Sequence, residues 1–490
     1  MAPTPSIPQK VINFSAGEAL EGSEIIAVRI VRGAQAADPQ ITAEGVWEVT
    51  VPQQPSRPLD LTDGKEFADD GWRGAGGALV RRLNKVVEHH PVRAKKHVVQ
   101  VELPEEVTAE NVRSLAIGMT VGGHTFKTTN EKRGAKVRRV HVVLPGAGKG
   151  NAGDKQQQLA DAVHAGAALG AATCLSRDLS NTPSNVKSPE WLAKKAKKLV
   201  GDMEGVKVRL RDAEWLKTKG FGGILAVGQG SSRPPMLIEL VWDPEEVGKK
   251  RKRPTVLLVG KGVTFDTGGV SIKPSKGMET MITDMTGGAS VIAAFRELAR
   301  QQTSRKVVAL IPTAENMVGG NSYRPGDVVE HYGGITTEVA NTDAEGRMLL
   351  ADAISYGTRK YKPAMVVSLA TLTGAAKVAL GLRTGAVFAP EWGAGVKLSR
   401  RGSAVGERWW PLPMPDYVED AVDSAVADVR QAPGGPGATT AAMFLRRFTR
   451  GVPFVHLDIA GPGRAESTYD EVTPLGTGFG ARTLVQWLRR

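Results

Sequence analysis

The hydrophobic positions of the first 150 residues follow two different periods. Three runs have the composition and length of β-strands, and between them lie two segments whose apolar residues recur every three to four positions, as in amphipathic helices. The strand runs are EIIAVRIV (24–31), HVVQVEL (97–103) and VRRVHVVLP (137–145), and the helical segments are GALVRRLNKVVEH (77–89) and Ala109 to about Gly122. Strands that alternate with helices predict βα units, so we expect a first α/β domain with a largely parallel sheet that ends near residue 150.

A polar, glycine-rich segment, GAGKGNAGDK (146–155), interrupts this pattern. It differs from a phosphate-binding loop because Gly150 follows Lys149 where serine or threonine is required, and because the upstream glycine is absent. We interpret it as a linker. The alanine-rich segment from about Gln156 to Leu179 contains few helix breakers, which predicts a connecting helix.

Beyond this helix the alternation resumes on a larger scale. The predicted strands are VKVRL (206–210), GILAVG (223–228), MLIELVW (236–242), TVLLVG (255–260), KVVALIP (306–312), MVVSLA (365–370) and FVHLDIAG (454–461). The predicted fold is therefore α/β, with a smaller N-terminal α/β domain (1–153), a connecting helix (154–180) and a larger C-terminal α/β domain (181–490) with a mixed central sheet.

Composition narrows the class of protein. With 490 residues, 41% of them hydrophobic, 57 glycines and 5% aromatics, the chain suits a globular α/β protein better than a fibrous or disordered one. No stretch approaches the roughly 18 uninterrupted apolar residues of a membrane span, and no secretory signal is visible at the N-terminus. The single Cys174 cannot form an internal disulfide. We therefore expect a cytoplasmic protein that does not act at a membrane.

The formal charge of +13 raises the question of nucleic-acid binding. The two densest basic runs are KKAKK (194–198) and KKRKR (249–253). Trp191, Leu192 and Leu199 recur at helical spacing around the first run, which indicates the solvated face of an amphipathic helix. The second run lies between two predicted strands and is interpreted as a solvated connector. Nucleic-acid binding is thus not expected as the main role.

The candidate chemistry begins with NTDAEGRM (341–348), which sets Asp343, Glu345 and Arg347 at alternate positions before an apolar segment. In an extended run these three side chains would project to one side, whereas in a helix they would not face each other. We therefore expect an extended run that aims all three into one cavity. The alternative is that the acidic residues only favour a helix N-terminus.

A second group of polar residues follows the predicted strand TVLLVG. Lys261, Asp266, Lys273 and Asp284 lie within 24 residues, at the carboxyl end of a strand, where open α/β sheets bind ligands. Taken singly, each has the simpler interpretation of an exposed lysine or a turn aspartate. The eight histidines show no H-E-x-x-H spacing, so carboxylates are the better candidate metal ligands.

Electrostatics indicates what four gathered carboxylates would require. Each close pair would repel by roughly 4 kcal/mol at an effective dielectric near 20. Two divalent cations would cancel four negative charges, and paired metals are known to activate water and to clamp a reacting carbonyl or phosphoryl group. A lysine that served as a metal ligand would have to be neutral, which only an adjacent dication can bring about.

These motifs resemble the signature of the leucyl aminopeptidases, the M17 peptidase or cytosol aminopeptidase family. The resemblance rests on NTDAEGR (341–347) and VGKGVTFDTGG (259–269), with the later Lys273 and Asp284 in order. Further similar segments are RDLSNTPSN (177–185), VGQGSSRPPMLIEL (227–240), AENMVGGNSYRPGDVV (314–329), LATLTGA (369–375) and HLDIAG (456–461). In residues 1–150 only LAIGMTVGGHTF (115–126) is similar, so the likeness concerns mainly the second domain.

The resemblance implies a metallo-aminopeptidase of the leucyl type, a hydrolase that removes N-terminal amino acids from peptides through a metal-bridging water and a tetrahedral intermediate. It implies two divalent ions per subunit, Zn²⁺ or Mn²⁺. Asp266 and Glu345 would bridge both ions, Lys261 and Asp284 would complete the tighter site, and Asp343 would complete the more exchangeable one.

Further roles follow from the same resemblance. Lys273 would stabilise the oxyanion of the intermediate, and Arg347 would hold a bicarbonate that relays a proton. The residues implied to border the substrate are Met281, Thr371, Leu372 and Gly374. The family resemblance also implies a homohexamer with the catalytic domains inside.

Two other classes of function stay open at this point. A protein with this fold could serve mainly to bind nucleic acid, as its positive charge allows. Carboxylate-bound metal pairs also catalyse phosphoryl transfer, so a dinuclear phosphoesterase is the third alternative.

Overall fold

The structure is a computed structural model that describes residues 4–22, 24–33, 37–52, 71–89, 97–131, 134–146 and 153–489. The chain forms two compact units. The first comprises Met1–Asp178, Ser403–Gly406 and Ala465–Pro474, and the second comprises Leu179–Gly402, Glu407–Arg464 and Leu475–Arg490. Most of the predicted linker at 146–155 lies outside the described residues.

The described part of the first unit contains a six-stranded sheet in the order β1-β6-β5-β2-β4-β3. Its strands are β1 (Asn13–Gly17), β2 (Ile25–Gly33), β3 (Gln40–Ile41), β4 (Trp47–Pro52), β5 (Val98–Glu102) and β6 (Arg139–Val143). Neighbouring strands are parallel except for the pair of β3 and β4. The prediction of a largely parallel sheet is therefore confirmed.

The helices of the first unit are α1 (Trp72–His89), α2 (Ala109–Gly122) and α3 (Asp154–Ser180), the last of which ends in the second unit. Glycines allow α1 and α2 to approach closely. A Cβ at Gly118 would lie 2.1 Å from the carbonyl oxygen of Arg73, and one at Gly122 would lie 2.4 Å from the α-carbon of Gly77. Any larger residue at these two positions would force the helices apart.

The connecting helix α3 is long and apolar enough to cross a membrane, judged by length and composition alone. About three fifths of its most apolar window, 61%, is buried inside the protein. A buried core helix meets the same two criteria, so this feature is weak evidence for a membrane span.

The described part of the second unit contains a nine-stranded sheet in the order β16-β15-β18-β14-β9-β11-β8-β7, with β10 paired to β11. Its strands are β7 (Val206–Arg211), β8 (Met236–Trp242), β9 (Arg253–Gly260), β10 (Gly262–Asp266), β11 (Arg305–Asn316), β14 (Met365–Ala370), β15 (Thr384–Phe388), β16 (Arg408–Pro411) and β18 (Phe454–Asp458). The central strands β14, β9 and β11 are parallel, whereas β8 is antiparallel to β11 and β15 to β18. The predicted mixed sheet is confirmed.

The shorter strands of the chain are β12 (Val328–Glu330), β13 (Thr336–Glu338), β17 (Val429–Arg430), β19 (Arg464–Ala465) and β20 (Leu475–Gly476). The remaining helices are α4 (Pro189–Val200), α5 (Ala213–Lys219), α6 (Gly222–Gly228), α7 (Thr286–Arg300), α8 (Glu345–Tyr361), α9 (Gly374–Leu380), α10 (Trp392–Ser403), α11 (Gly437–Arg446) and α12 (Ala481–Leu488). Every residue from Val256 to Val259 is fully buried, as expected for a parallel strand covered on both faces.

Two local predictions are wrong. GILAVG forms helix α6 rather than a strand, because an apolar run of six residues carries no period that separates the two structures. The run NTDAEGRM is not extended: Asp343 lies in a turn, and helix α8 begins at Glu345. A turn that leads into a helix can aim these side chains at one place without the alternation of a strand.

Candidate active site

The long strand β11 sets the positions of Lys261 and Asp266. β9 pairs in parallel with the first part of β11, and β10 pairs in parallel with its last part. Lys261 lies between the end of β9 and the start of β10. The register places Asp266 opposite Asn316, whose side-chain amide donates to Asp266 Oδ1 at 2.8 Å. Asp266 is thus the last residue of β10, and the hydrogen bond from Asn316 fixes the position of its Oδ1.

Four carboxylates gather beside these residues, and we call them the acid cluster: Asp266, Asp284, Asp343 and Glu345. Asp284 follows a short 3-10 helix, Met278–Thr283, and Glu345 is the first residue of α8. One oxygen each from Asp266, Asp343 and Glu345 lies within 4.8 Å of the other two. Residues separated by up to 79 positions in the chain thus meet at one point.

Two lysines neutralise part of this charge. Lys261 Nζ lies 2.8 Å from Asp284 Oδ2 and 2.7 Å from Glu345 Oε1. Lys273 Nζ lies 2.9 Å from Asp266 Oδ2 and also contacts Asp343 Oδ1. All of the residues that the sequence nominated as metal ligands are therefore in one place, together with Lys273.

Burial and crowding change the acidity of these groups. Burial raises the pKa of Asp266 to about 7, and the charge of Glu345 adds to this shift while the lysines oppose it. Burial likewise raises the pKa of Asp284 and of Glu345. These three carboxyl groups are thus harder to ionise than in water, as expected for like charges in a dry site.

The lysines respond in the opposite way. Burial by itself would lower the pKa of Lys261, but the carboxylates of Asp284, Glu345 and Asp266 outweigh burial and raise it. For Lys273 burial is again outweighed, chiefly by Asp266 and Glu345, so that its pKa is also raised. Both amines are therefore protonated at neutral pH in this structure.

The acid cluster fits divalent cations. Three of its buried oxygens, Asp284 Oδ2, Asp343 Oδ1 and Glu345 Oε1, have no hydrogen-bond partner in the described part of the chain, although each lies within ion-pair distance of a lysine. Four carboxylates against two ammonium groups leave negative charge in a buried site, which is costly unless further cations compensate it. Carboxylate oxygens with an amine nitrogen form a donor set that Zn²⁺, Mn²⁺ or Mg²⁺ accepts.

Several residues that the sequence analysis did not single out support the acid cluster. The backbone N–H of Gly268 donates to Asp266 Oδ1 at 2.8 Å. Asn316 also donates to the carbonyl of Thr342 at 3.0 Å, and the hydroxyl of Tyr323 donates to the same carbonyl at 2.8 Å. Asn316 and Tyr323 lie in the segment AENMVGGNSYRPGDVV (314–329), whose family resemblance was the signal that the sequence offered for them.

Arg347 lies on the first turn of α8 and is buried. Its Nη1 donates to the main-chain carbonyl of Gln431 at 2.6 Å, and its Nε has no hydrogen-bond partner among the described residues. Burial lowers the pKa of Arg347 to about 10, although Glu345 and Asp458 oppose the shift. The guanidinium is therefore a buried cation with unused hydrogen-bonding capacity.

A cavity of about 410 Å³ opens over the acid cluster. Of the predicted site residues, its wall includes Lys261, Asp266, Lys273, Met281, Asp284, Asp343, Arg347, Thr371, Leu372 and Gly374. Glu345 lies behind this wall, against Lys261. The structure thus brings together every residue that the sequence nominated.

The segment from Thr371 to Thr373 is held in place by two carboxylates. Asp458 accepts hydrogen bonds from the N–H of Leu372 at 3.1 Å and from the hydroxyl of Thr373 at 2.6 Å. The hydroxyl of Thr371 donates to Asp284 Oδ1 at 2.8 Å. Thr371, predicted only to border the substrate, therefore also orients a member of the acid cluster.

Comparison with known proteins agrees with this geometry. A family model described as the cytosol aminopeptidase family, catalytic domain (M17 peptidases) matches residues 174–485. The chain is 41% identical over 437 residues to a probable cytosol aminopeptidase of Geobacter sulfurreducens, covering 88% of this chain and 84% of the relative. It is 38% identical over 435 residues to a probable cytosol aminopeptidase of Corynebacterium diphtheriae, covering 88% and 81% of the two chains.

Among solved structures, the chain is similar to the bottromycin maturation enzyme BotP in complex with Mn. The TM-score is 0.78 at 32% sequence identity, and the superposition covers 96% of this chain and 99% of that one. The similarity therefore extends over nearly the whole chain, including the N-terminal region, where the sequence motifs are few.

Proposed function

The chain belongs to the cytosol aminopeptidase family, and from this premise we propose that it is a leucyl-type aminopeptidase that works with two divalent cations. The observation that carries the proposal is the acid cluster, in which four carboxylates gather around only two lysines. Such a cluster is expensive to bury unless cations compensate it. The manganese complex of BotP supports the requirement for a metal.

We assign the ligands from the family resemblance, to residues that the structure brings together in the acid cluster. Asp266 and Glu345 would be shared by both cations, with Lys261 and Asp284 on one side and Asp343 on the other. Zn²⁺ and Mn²⁺ are the proposed ions. Cations bound there would polarise the scissile carbonyl and make water ionise near neutral pH.

Lys273 is proposed to stabilise negative charge that develops on the reacting carbonyl oxygen. It lines the cavity, and its raised pKa keeps it protonated through the neutral range. A fixed cation at this point acts on the transition state more than on the neutral substrate.

Arg347 is proposed to bind a bicarbonate that relays a proton. The Nε of Arg347, which has no hydrogen-bond partner among the described residues, and the position of the side chain in the cavity wall suit a small planar anion. A bicarbonate bound to Arg347 would lie in the cavity, where it would accept a proton from water and return it to the leaving amine.

The substrate would lie between the acid cluster and the segment held by Asp458. Met281, Thr371, Leu372 and Gly374 line this part of the cavity. The leucyl preference is proposed from the family resemblance, and the apolar surface of Met281 and Leu372 supports it only as far as a tolerance for apolar N-terminal side chains.

The domain division stays as proposed from the sequence, with a first domain at 1–153, a connecting helix at 154–180 and the catalytic domain at 181–490. We also propose a homohexamer and a cytoplasmic location. The second proposal is consistent with relatives that are named cytosol aminopeptidases.

The deciding experiment measures hydrolysis of leucine amide before and after removal of metal, with Zn²⁺ or Mn²⁺ added back. We expect activity to disappear on chelation and to return with the metal. Asp343→Asn should bind less metal and lose most of the activity, whereas the exposed Asp202→Asn should behave as the unaltered protein. A phosphate ester tested in parallel should not be hydrolysed; hydrolysis of the ester alone would show a phosphoesterase instead.

A further inference from the structure

The outer part of the cavity carries two cationic side chains that the proposed mechanism does not use. Lys377 lies on α9 and Arg464 begins β19, and both line the cavity. Both residues are half-buried. Within the described residues neither side chain forms an ion pair or a side-chain hydrogen bond.

The charge of the cavity wall makes these two residues unusual. The carboxylates in the wall are Asp266, Asp284 and Asp343, and each already contacts Lys261 or Lys273. Lys377 and Arg464 form no ion pair with any of these carboxylates within the described residues, so their charges stay available to a ligand. Metal ions bound to the acid cluster would compensate the carboxylates, and Lys377 and Arg464 would then give the cavity wall an excess of positive charge.

The space beside Lys377 and Arg464 is open. Gly374 and Lys377 are three residues apart on α9 and so share one face of the helix. A Cβ placed on Gly374 would meet no heavy atom within 4 Å, which shows that this face borders the cavity. The neighbouring wall is formed by the small residues Ala375, Gly437 and Ala460, which leave room for a ligand group.

We propose that Lys377 and Arg464 form a carboxylate subsite, so that the enzyme favours peptides that carry an anionic group close to the hydrolysed bond. This inference rests on the proposed aminopeptidase function. The planar guanidinium of Arg464 can bind a carboxylate through two parallel hydrogen bonds, and Lys377 supplies a point charge from the adjacent helix.

A peptide offers such a carboxylate from two sources. One is the side chain of an aspartate or glutamate at the N-terminal position, and the other is the C-terminal carboxylate of a dipeptide. Two substrate pairs separate them. Glu-Leu amide against Gln-Leu amide tests the side chain, and Leu-Leu against Leu-Leu amide tests the C-terminus.

The measurement is kcat/KM for each substrate with the metal-loaded enzyme. We expect the charged member of at least one pair to be favoured, and the pair concerned identifies the source of the carboxylate. Lys377→Met and Arg464→Gln should each reduce that preference by about fivefold to tenfold, since a half-exposed charged hydrogen bond is worth less than a buried one. High salt should weaken the preference in the unaltered protein.

Matched controls remove a positive charge elsewhere. Lys219→Met and Arg401→Gln alter exposed residues outside the cavity wall and should leave the preference unchanged. Arg464→Lys, which keeps the charge but not the planar fork, should retain part of the preference.

The outcomes distinguish this inference from the proposed function. If the amides are hydrolysed but neither pair shows a preference for the charged member, the subsite does not exist. The same conclusion follows if a preference survives in the Lys377→Met, Arg464→Gln double variant. Failure to hydrolyse any of the four substrates after metal is restored would overturn the aminopeptidase function and the subsite together.

Discussion

Arg347 Nη1 and the main-chain carbonyl of Gln431 are joined by a hydrogen bond of 2.6 Å between residues 84 positions apart in the chain. The side chain of Gln431 strengthens this link. Its Oε1 accepts from the N–H groups of Ala340 and Asn341 at 3.1 and 3.0 Å, and its Nε2 donates to the carbonyl of Ala344 at 3.0 Å. One buried glutamine thus holds both ends of the turn that presents Asp343.

The first prediction concerns the three hydrogen bonds of the Gln431 side chain. Gln431→Met keeps the volume but removes three hydrogen bonds, so Asp343 and Glu345 should lose their fixed positions. We expect metal affinity and kcat/KM to fall by about 10-fold to 100-fold, as for other residues that orient metal ligands. Metal content measured at limiting concentration and leucine amide hydrolysis check this.

A purely structural role for Gln431 would give a different result. In that case the melting temperature would fall while the metal affinity of the folded protein stayed the same. Gln486→Met alters another buried glutamine of the second unit, outside the cavity wall, and serves as the matched control.

The second prediction concerns Lys273. Lys273→Met should lower kcat by about 10²-fold to 10³-fold, the usual effect of removing one group that stabilises an oxyanion. Because Lys273 is not assigned as a ligand, the number of metal ions bound per subunit should not change. Lys273→Arg should recover part of kcat. Loss of bound metal in Lys273→Met would instead make this lysine part of the metal site.

The third prediction concerns protons that accompany metal binding. Lys261 can ligate only as a neutral amine, yet its raised pKa keeps it charged before a cation binds. Binding should therefore release a proton, and apparent affinity should rise by about tenfold per pH unit for each proton released. Calorimetric titration with Zn²⁺ in two buffers of different ionisation enthalpy measures the number released.

The contribution of Lys261 can be isolated by substitution. Lys261→Met should bind metal more weakly and should release fewer protons than the unaltered protein at the same pH. Identical proton release in the two proteins would contradict the assignment of Lys261 as a ligand.

The fourth prediction concerns stability at acidic pH. His456 is fully buried on β18, its Nδ1 lies 2.8 Å from the hydroxyl oxygen of Ser368, and its ring stacks on Phe388. Burial lowers the pKa of His456 to about 3, and the charge of Arg347 adds to this shift. In the unfolded chain the ordinary histidine pKa is about 6.5.

Between these two values the unfolded state binds the proton and the folded state does not, so stability falls as pH falls from 6.5 toward 3. By pH 4.5 the loss should amount to about 2–3 kcal/mol. Chemical denaturation of the unaltered protein and of His456→Phe across this range should show a smaller decrease in the variant. An equal decrease of stability with pH in the two proteins would mean that His456 does not contribute to the loss of stability at acidic pH.

The local sequence was sufficient to predict several elements because their signals are short-range. The amphipathic helix around KKAKK is confirmed as α4, and the helix predicted from Ala109 to about Gly122 is α2. In α2 the hydroxyl of Thr108 accepts from the N–H of Asn111, which fixes where the helix begins. GILAVG was mispredicted since contacts outside the segment, such as the N–H of Ile224 donating to Asp352, favour the helix.

The sequence by itself determined which side chains are candidates for the acid cluster and its neighbouring lysines, and in what order they follow along the chain. Residue type and short spacing set the chemistry of these groups. Only the tertiary structure decided that Gln431 holds the turn before α8, that Asn316 orients Asp266, and that Lys377 and Arg464 face one cavity. These contacts join residues far apart in the chain, so their geometry depends on sheet order and strand register. Neither of these can be read from a local pattern.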